Sequence, residues 1–418
     1  MAGRMVELEE AFTSLATLFG AGRTERVGLD EALGRHLAES IVARSDEPGF
    51  DNGAMDGYAV RSADLAGATP SAPVWLTVEG ESRAGGPLPR CEPGRAVRSF
   101  TGARIPDGAD TVVMQEDVTR EADRARFDRA PETGEHVRRR GEVLRAGDRV
   151  LEPGARLGPG EIGACASQSK ASVLVYVRPR VAILGTGDEL REIGDPLEPG
   201  MIVDSNGHAL AAAVRAAGGI PSRAPLIADR ESLLAARLEE AASSSDIVLT
   251  VGGASVGDHD HVPAALDALG ARVLFEKVRM KPGKPVRLAV LSRAVVLALP
   301  GNPVSALVAF ELFARPIVRS RLGDERPFRP AIDVELARDM RGPDSRPELA
   351  RARLELRQGA LPRAWPPGDQ GSAAITSWTG SDALLYLPRG AGRIAAGTRM
   401  RALDLASTRG AASPPRLG

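Results

Sequence analysis

Three glycine-rich loops in the middle of the sequence have the residue types that bind phosphate groups. They are Gly185-Thr186-Gly187-Asp188-Glu189, residues 252–260 (Gly-Gly-Ala-Ser-Val-Gly-Asp-His-Asp) and Leu299-Pro300-Gly301-Asn302-Pro303-Val304-Ser305. Glycine lets the backbone approach an oxyanion closely, and the free N–H groups of a following helix can then bind it. A single loop of this kind is equally typical of an ordinary strand-to-helix turn, so the prediction depends on all three together.

Side chains in these loops add further chemistry. The hydroxyls of Ser255 and Ser305 could donate hydrogen bonds to a ligand. Four carboxylates could bind Mg²⁺ or the hydroxyl and amine groups of a ligand. They belong to Asp188, Glu189, Asp258 and Asp260.

A basic segment over residues 277–285 is the best source of positive charge for an anion. In an extended strand, alternation would place Lys277, Arg279 and Lys281 on one side. The following Pro-Gly-Lys-Pro turn has little conformational freedom, which favours a fixed loop facing an anion. A solvated edge strand is the alternative.

Two polar loops occur earlier, at residues 51–59 and 101–110. The first contains Asp51, Asp56 and Tyr58, which could line a cleft, but its Asn-Gly and Asp-Gly pairs are also common in plain turns. An arginine run at 138–140 fits a solvated face as well as an anion site. Composition does not connect these loops with the three glycine loops.

Composition excludes several classes of protein. A net charge of −1 over 418 residues gives no electrostatic signature of nucleic-acid or membrane-surface binding. Two cysteines are too few for a disulfide scaffold or a cysteine-rich zinc site. No stretch approaches the ~20 apolar residues of a membrane span, and the N-terminus lacks the apolar core of a signal peptide. We therefore expect a cytoplasmic enzyme.

The N-terminal half is predicted to contain a helical part and a β-rich part. Helical spacing predicts helices over 5–19 and 29–42. Recurrent Gly and Pro between short apolar runs predict a β-rich domain over 46–145. Residues 146–177 return the chain towards residues 1–45, with which they form a helical and linker domain.

The C-terminal half is predicted to be an α/β domain followed by a barrel. Apolar strands at 181–184, 222–227, 246–250, 272–278 and 295–299 alternate with helices at 207–217, 230–244, 262–269 and 304–318. This alternation predicts a parallel sheet in a three-layer α/β domain over 178–325, with ligands bound outside the carboxyl ends of its strands. Short strands over 326–405 predict a β-barrel, and residues 406–418 are predicted to be a disordered tail. The fold class is multidomain α/β.

Together these segments closely resemble the molybdopterin molybdenumtransferases, the MoeA and gephyrin E-domain family. The similar stretches occur in the family's order and span most of the chain. They are AMDGYA (54–59), FTGARIPDGADTVVMQE (100–116), RRRGE (138–142), RPRVAILGTGDEL (178–190), DSN (204–206), GGASVGDHD (252–260), KVRMKPGKP (277–285) and LPGNPVSA (299–306).

The resemblance implies an elongated homodimer, in which the β-rich domain of one subunit faces the α/β domain of the other. It implies that adenylylated molybdopterin and molybdate are converted to molybdenum cofactor and AMP, with Mg²⁺ assisting. It also makes the molybdopterin adenylyltransferase a candidate partner.

The resemblance further implies roles for individual residues. Its catalytic set is Asp56, Thr101, Glu189, Asp260 and Asp229, of which Glu189 and Asp56, together with Glu142, are the candidate metal ligands. Its pterin and phosphate contacts are Gly252, Gly253, Ser255, Gly257 and Asp258. Its anion or molybdate contacts are Lys277 and Lys281, with Pro300 and Pro303 shaping that pocket. Its further cofactor-binding residues are Lys284, Gly301, Asn302 and Ser305.

The chain departs from the family pattern at two positions. Relatives commonly have an acidic residue directly after the RRRGE motif, where this chain has Val143, which cannot bind a cation. Either Glu142 substitutes for it or the metal site is altered. Relatives also often have serine before the Gly-Gly pair, where this chain has Val251 and lacks a hydroxyl donor.

Three other functions are compatible with parts of the sequence. The α/β domain alone resembles molybdopterin adenylyltransferases, although AMDGYA and the barrel favour the metal-inserting enzyme. A non-catalytic scaffold is disfavoured because the chain has neither a long linker nor an appended enzyme domain. Tungstate has the same charge and nearly the same size as molybdate, so the loops do not separate the two oxyanions.

Overall fold

The computed structural model describes residues 5–252, 261–407 and 410–417. These residues form two compact units. The first unit contains the described parts of Met1–Glu39, Pro153–Gly158 and Ser172–Gly418, and the second contains Ser40–Glu152 and Pro159–Ala171.

The chain begins with strand β1 (Met5–Val6), helix α1 (Leu8–Ala16) and strand β2 (Thr24–Gly28). The predicted N-terminal helix is confirmed in a shorter form, because Met5 and Val6 instead pair with Lys277 and Val278. Helix α1 buries the apolar stripe that its sequence predicted, and the Phe12 ring lies 5.9 Å from the Phe313 ring.

The second predicted N-terminal helix, over 29–42, is wrong. Only Leu29–Glu31 forms a short 3-10 turn, and Gly34 breaks the helical path with a φ of +75°. Further along, Ile41–Val42 pairs with Arg149–Leu151 as a strand. Strand pairing with residues distant in sequence therefore overrides the helical spacing of the leucines.

Short strands and one helix make up the second unit. They are β3 (Ile41–Val42), β4 (Asn52–Gly53), β5 (Gly57–Val60), β6 (Val74–Ser82), β7 (Arg95–Ser99), β8 (Thr111–Met114), β9 (Val118–Glu121), β10 (Arg124–Phe127), β11 (Val137–Arg138), β12 (Arg149–Leu151) and α2 (Pro159–Ser167). Six of them form a sheet in the order β8-β5-β7-β6-β10-β9, as expected for a β-rich region. Its core includes Tyr58, Leu76 and Phe127.

The α/β part of the first unit follows. Its elements are β13 (Ser172–Tyr176), β14 (Arg180–Gly185), β15 (Leu190–Arg191), β16 (Ile202–Val203), α3 (Ser205–Ala217), β17 (Ile220–Arg223), α4 (Glu231–Ser244), β18 (Ile247–Val251), α5 (His261–Ala268), β19 (Arg272–Phe275), β20 (Lys277–Val278), β21 (Arg287–Leu291), β22 (Ala294–Leu299), α6 (Pro303–Ala309) and α7 (Arg315–Arg321). A π-helical turn, Phe310–Ala314, joins α6 to α7. None of the described helices is long and apolar enough to span a membrane.

The α/β part has three layers, as predicted. Alternate residues of β14 enter different cores: Val181 and Ile183 pack with the side of α3 and α7, whereas Ala182 and Leu184 pack with the side of α4 and α5. A strand buried on both faces must be apolar throughout, which explains the continuous apolar runs in the sequence.

The expectation of an all-parallel sheet is wrong at one edge. The strand order is β17-β14-β18-β22-β21-β19, and β21 and β19 are antiparallel to their neighbours. Strand β21 was not predicted as a strand. It joins β22 through a tight turn at Ser292, so it forms a hairpin that needs no crossover helix.

A closed barrel forms the C-terminal part of the first unit, as predicted. The remaining strands are β23 (Ala331–Leu336), β24 (Met340–Arg341), β25 (Glu348–Glu355), β26 (Arg363–Trp365), β27 (Ala383–Leu387), β28 (Arg393–Ile394) and β29 (Arg399–Asp404), and the barrel order is β23-β26-β25-β27-β29. The described end of the segment expected to be disordered is packed: Ala411 pairs with Phe328, and Leu417 is buried.

Candidate functional site

Three loops leave the α/β sheet at the same edge. Gly185 at the end of β14 lies beside Val251 of β18, which lies beside Leu299 of β22. The loops that follow these strands therefore start at the same level, as the sequence predicted. This is the edge at which parallel α/β sheets bind ligands.

The backbones of these loops touch one another. Gly252 has a φ of +95°, and a Cβ atom there would lie 2.2 Å from the Thr186 carbonyl oxygen. A Cβ atom on Gly301 would in turn lie 3.6 Å from Gly252 Cα. Only glycine fits at position 252, so the described start of the second loop lies directly against the loops after β14 and β22.

Carboxylates gather at the loop after β14. Asp188 and Glu189 are exposed, and Asp188 Oδ1 accepts a hydrogen bond of 3.1 Å from the Asp229 amide. The Glu189 carboxylate folds back over Gly187, where Oε2 lies 2.5 Å from the position a Cβ atom would take. Within the described ranges, no three acidic, His or Cys side chains converge as a metal site. The structure thus places Asp229 beside the loop that contains Glu189.

Several predicted site residues lie outside the described residues. They are Gly253, Ser255, Gly257, Asp258 and Asp260.

The loop after β22 is held from both sides. Asn206, in the first turn of α3, donates a 2.6 Å hydrogen bond from Nδ2 to the Gly301 carbonyl. On the other side, Asn302 Nδ2 lies 3.0 Å from Ser372 Oγ, and the Val304 amide donates to the Ser372 carbonyl at 3.0 Å. These bonds join the loop to the segment 369–372, which precedes β27.

That segment borders a basic cavity of about 560 Å³. Its polar lining includes Lys281, Lys284, Ser305, Arg346, Gln370 and Ser372. The sequence predicted the two lysines and Ser305 but missed the other three. Those residues come from the barrel region, far along the chain, and no local motif there indicates a binding role.

The lysines in the basic segment have different surroundings. Lys281 Nζ lies 3.0 Å from Oε2 of Glu348, whose side chain is only 8% exposed. In the part of the chain that the structure describes, the Lys284 ammonium has no ion-pair partner. Lys284 is therefore the cation most available to an anion in this cavity.

Burial alternates along this segment as predicted, because Val278 and Met280 are buried whereas Lys277, Arg279 and Lys281 are not. Strand β20 itself has only two residues, so the three basic side chains have different partners. Arg279 pairs with Glu7 at 2.7 Å, and Lys277 is not among the residues that line the cavity. Pro300 and Pro303, which flank the turn between β22 and α6, do not line it either.

A buried arginine fixes the cavity wall. Arg351 is fully buried, and its guanidinium donates to the carbonyls of Gln370 at 3.1 Å and Gly371 at 3.0 Å. It also donates to Ser377 Oγ. Burial lowers the pKa of Arg351 below its usual value. The segment 369–371 is thereby anchored by a buried residue of β25.

The second unit contains a separate polar cluster around Asp56. The Thr101 amide and hydroxyl donate to Asp56 Oδ1 at 2.8 and 2.7 Å, respectively. The amide bond, the hydroxyl bond and the nearby Arg98 guanidinium lower the pKa of Asp56 below its usual value. Both side chains are exposed, so this cluster presents an ionised carboxylate to solvent at neutral pH.

Substituting Thr101 with Val is expected to raise the pKa of Asp56, because the charged form loses the hydroxyl donor while keeping the amide donor. Any stability that this lowered pKa contributes is present above the unfolded pKa and is lost as pH falls through the folded pKa. The pKa would be measured from the Asp56 carboxyl ¹³C shift as a function of pH. Thr119→Val, at an exposed position on β9, is the matched control; equal Asp56 titrations in Thr101→Val and the parent would contradict the assignment.

The arginine run contacts two aspartates in this unit, Asp46 and Asp51. Asp51 accepts from the Arg140 amide at 2.8 Å and from Arg139 Nη1 at 2.8 Å, and these bonds lower the pKa of Asp51. Glu142 Oε2 accepts from the Arg139 amide at 2.8 Å, so this candidate metal ligand already caps the turn. Val143 is 71% exposed beside it.

Three family models match successive parts of the chain. Residues 6–169 match the MoeA N-terminal region (domain I and II), residues 182–320 match a "Probable molybdopterin binding domain", and residues 333–405 match the MoeA C-terminal region (domain IV). The glycine loops and the lysines at 281 and 284 fall in the second match, and Asp56 and Thr101 fall in the first.

Curated proteins and a solved structure agree with these matches. The chain is 38% identical to a molybdopterin molybdenumtransferase of Nostoc sp., covering 91% of this chain and 89% of that protein. It is 35% identical to the Bacillus subtilis molybdopterin molybdenumtransferase, covering 98% and 96%, respectively. The crystal structure of the molybdopterin biosynthesis MoeA protein of Pyrococcus horikoshii superposes with a TM-score of 0.81 at 31% identity, covering 96% of this chain and 99% of that one.

Proposed function

The chain belongs to the MoeA family of molybdopterin molybdenumtransferases, and from this premise we propose that it inserts molybdenum from molybdate into adenylylated molybdopterin, with release of AMP. One observation supports this activity most directly. The three glycine loops start from strand ends that lie side by side at one sheet edge, in the same compact unit as the cavity that contains Lys281 and Lys284. The reaction needs both a grip on phosphates and a positive pocket for an oxyanion.

The glycine loops are proposed to bind the phosphate and pterin part of the substrate. Close approach of the backbone lets amide N–H groups reach phosphate oxygens without interference from side chains. Among the described residues, the proposed contacts to the substrate are Gly252 and Gly301, whose backbones are close in space, and Asn302. It extends to Gly253, Ser255, Gly257 and Asp258, which complete the second loop in the sequence.

The basic cavity is proposed to hold molybdate. A doubly charged oxyanion needs nearby cations and hydrogen-bond donors, which Lys284, Lys281, Arg346 and Ser305 supply from its lining. Pro300 and Pro303 are proposed to shape the adjoining turn. Lys277 does not line the cavity, and its role as an anion contact stays a prediction. Tungstate would meet the same groups.

The carboxylates of the site are compatible with Mg²⁺. Magnesium commonly takes one or two protein carboxylates together with substrate phosphates and water, so it does not require three converging acidic side chains. Glu189 and Asp56 are both exposed and would hold the ion, and Glu142 is a further candidate ligand. Asp260 and Asp229 complete the proposed catalytic set. When bound, the ion offsets charge on the pyrophosphate that is cleaved.

We further propose a homodimer in which the Asp56 and Thr101 cluster of one subunit completes the α/β site of the other. This arrangement follows from the family and explains why an ionised carboxylate is presented on the second unit. We also propose that each subunit has four domains. The first combines residues 1–45 with 146–177, and the others are residues 46–145, 178–325 and 326–405. A molybdopterin adenylyltransferase partner and a cytoplasmic location also stay predictions.

An assay with purified protein tests the proposed reaction. With adenylylated molybdopterin and molybdate, and without ATP, we expect AMP release together with a product that reconstitutes a molybdenum-dependent apo-enzyme. Accumulation of adenylylated molybdopterin from molybdopterin and ATP would instead identify an adenylyltransferase. If Asp56→Ala and Glu189→Ala both sustain cofactor synthesis in cells that lack their own enzyme, the protein is a scaffold. Repeating the assay and binding measurements with tungstate resolves the oxyanion preference.

A further inference from the structure

A second large cavity lies at the opposite edge of the α/β sheet from the glycine loops. Its volume is about 950 Å³, which is within the range of small-molecule sites. It is bordered by Arg180 at the start of β14, Asp246 just before β18, and Arg293 just before β22. Because β14 is six residues long, this edge is roughly 17 Å from the glycine loops.

Four guanidinium groups line this cavity and lack carboxylate partners. They belong to Arg23, Arg180, Arg293 and Arg321. Among the described residues, none of the four forms an ion pair, and the side chain of Arg321 donates only weakly, at 3.5 Å, to the Gly20 carbonyl. By contrast, several exposed arginines elsewhere in the same unit pair with carboxylates, as Arg393 does with Asp339.

Negative charge at the cavity does not cancel this positive charge. Asp246 is the one carboxylate in the lining, and its Oδ2 already accepts a 2.8 Å bond from the Arg180 amide. Helices α4 and α7 end nearby at Ser244 and Arg321, and each helix end contributes about half a negative charge. Four full positive charges outweigh these contributions, so the cavity has a net positive potential.

We propose that this cavity is a second binding site for a phosphate-bearing small molecule of nucleotide size. The guanidinium fork pairs with two oxygens of a phosphate at once, which favours phosphate over a simple halide. The hydroxyls of Ser245 and Ser292 lie in the same lining and can donate to the remaining oxygens. A concave wall with one predominant sign of charge also concentrates anions near it.

Calorimetric titration of the full-length protein with pyrophosphate and with AMP tests this proposal. We expect two binding events for the parent protein, one of which is weakened at least about tenfold in Arg180→Gln/Arg293→Gln, since two charged hydrogen-bond donors are lost. The other event should weaken in Gly252→Ala, because the added Cβ would lie 2.2 Å from the Thr186 carbonyl oxygen and disturb the loops that are proposed to bind phosphate. This pattern separates failure of the second site from failure of the proposed function.

The controls address charge and specificity. Arg389→Gln removes an exposed positive charge that does not line the cavity, so both binding events should persist. Binding of AMP but not of pyrophosphate would show that the site also contacts the nucleoside. Binding of both probes would show that the site recognises phosphate. Identical isotherms for the parent and Arg180→Gln/Arg293→Gln, equal binding of unphosphorylated adenosine, or binding of a glutamate-rich peptide without either phosphate probe would overturn the proposal. Thermal denaturation establishes that each variant is folded.

Discussion

Glu189→Gln is expected to slow molybdenum insertion about 100-fold without changing the fold, because it removes a charge positioned for the reacting phosphates. The carboxylate lies at the edge where three strands end together. It is exposed, and it forms no ion pair with any residue that the structure describes. The amide has nearly the same shape, so loss of activity would report the missing charge. Single-turnover AMP release from adenylylated molybdopterin measures the effect.

Glu198→Gln is the matched control for this prediction. Glu198 is exposed in the next connection, between β15 and β16, and no proposed site residue depends on its side chain. Gly187→Ala supplies an independent perturbation, since the added Cβ would collide with the Glu189 carboxyl group and force it to move. If Glu189→Gln releases AMP as fast as Glu198→Gln, the carboxylate has no part in the chemical step.

The sequence predicted the central sheet well because buried parallel strands must be apolar on both faces. Runs such as 246–250 and 295–299 are too short and too apolar for surface elements, and the glycines two residues after them, Gly252 and Gly301, indicate where the chain turns. Those two features together predicted that three loops meet at one edge. Strand β21 was missed because a hairpin strand at the side of the sheet interrupts the βα alternation on which the prediction rested.

The helical prediction for 29–42 failed for a different reason. Leucines spaced four apart satisfy a helix as well as an extended chain whose buried residues contact distant partners. Leu37 is fully buried and pairs with Val175, a residue that local sequence analysis cannot bring near it. The positive φ at Gly34 marks the break, but a glycine within a helical pattern is often tolerated.

The wall of the basic cavity that contains Lys281 and Lys284 could not be predicted from the sequence for a similar reason. Arg346 lies in one part of the barrel region and the segment with Gln370 and Ser372 in another, and closure of that barrel brings both parts to the lysines. Arg351 has no local signature either, yet its hydrogen bonds fix the segment that contains two of the lining residues. Residues that contribute through long-range packing have no local sequence motif, so the sequence does not reveal them. The Pro-Gly-Lys-Pro turn is a local motif, so the sequence did indicate its lysine.

Lys284→Gln is expected to raise the KM for molybdate about 30-fold, because a charged hydrogen bond to an oxyanion contributes about 2 kcal/mol. Lys284 faces the cavity without an ion-pair partner among the described residues, so its loss should leave the melting temperature nearly unchanged. Initial rates of cofactor formation over a range of molybdate concentrations measure the effect. Arg389→Gln controls for removal of one positive charge, and an unchanged KM in Lys284→Gln would reject the cavity as the molybdate site.

Variants of Lys281, which lines the same cavity, separate an effect on molybdate binding from an effect on protein stability. Lys281→Gln should raise the molybdate KM and also lower the melting temperature, since it leaves the nearly buried Glu348 carboxylate without its cation. In Lys281→Gln/Glu348→Gln the buried charge is gone, so stability should recover while the KM stays high. If the double variant regains parental KM, Lys281 acts by neutralising Glu348, and Lys284 with Arg346 must supply the charge that holds the oxyanion.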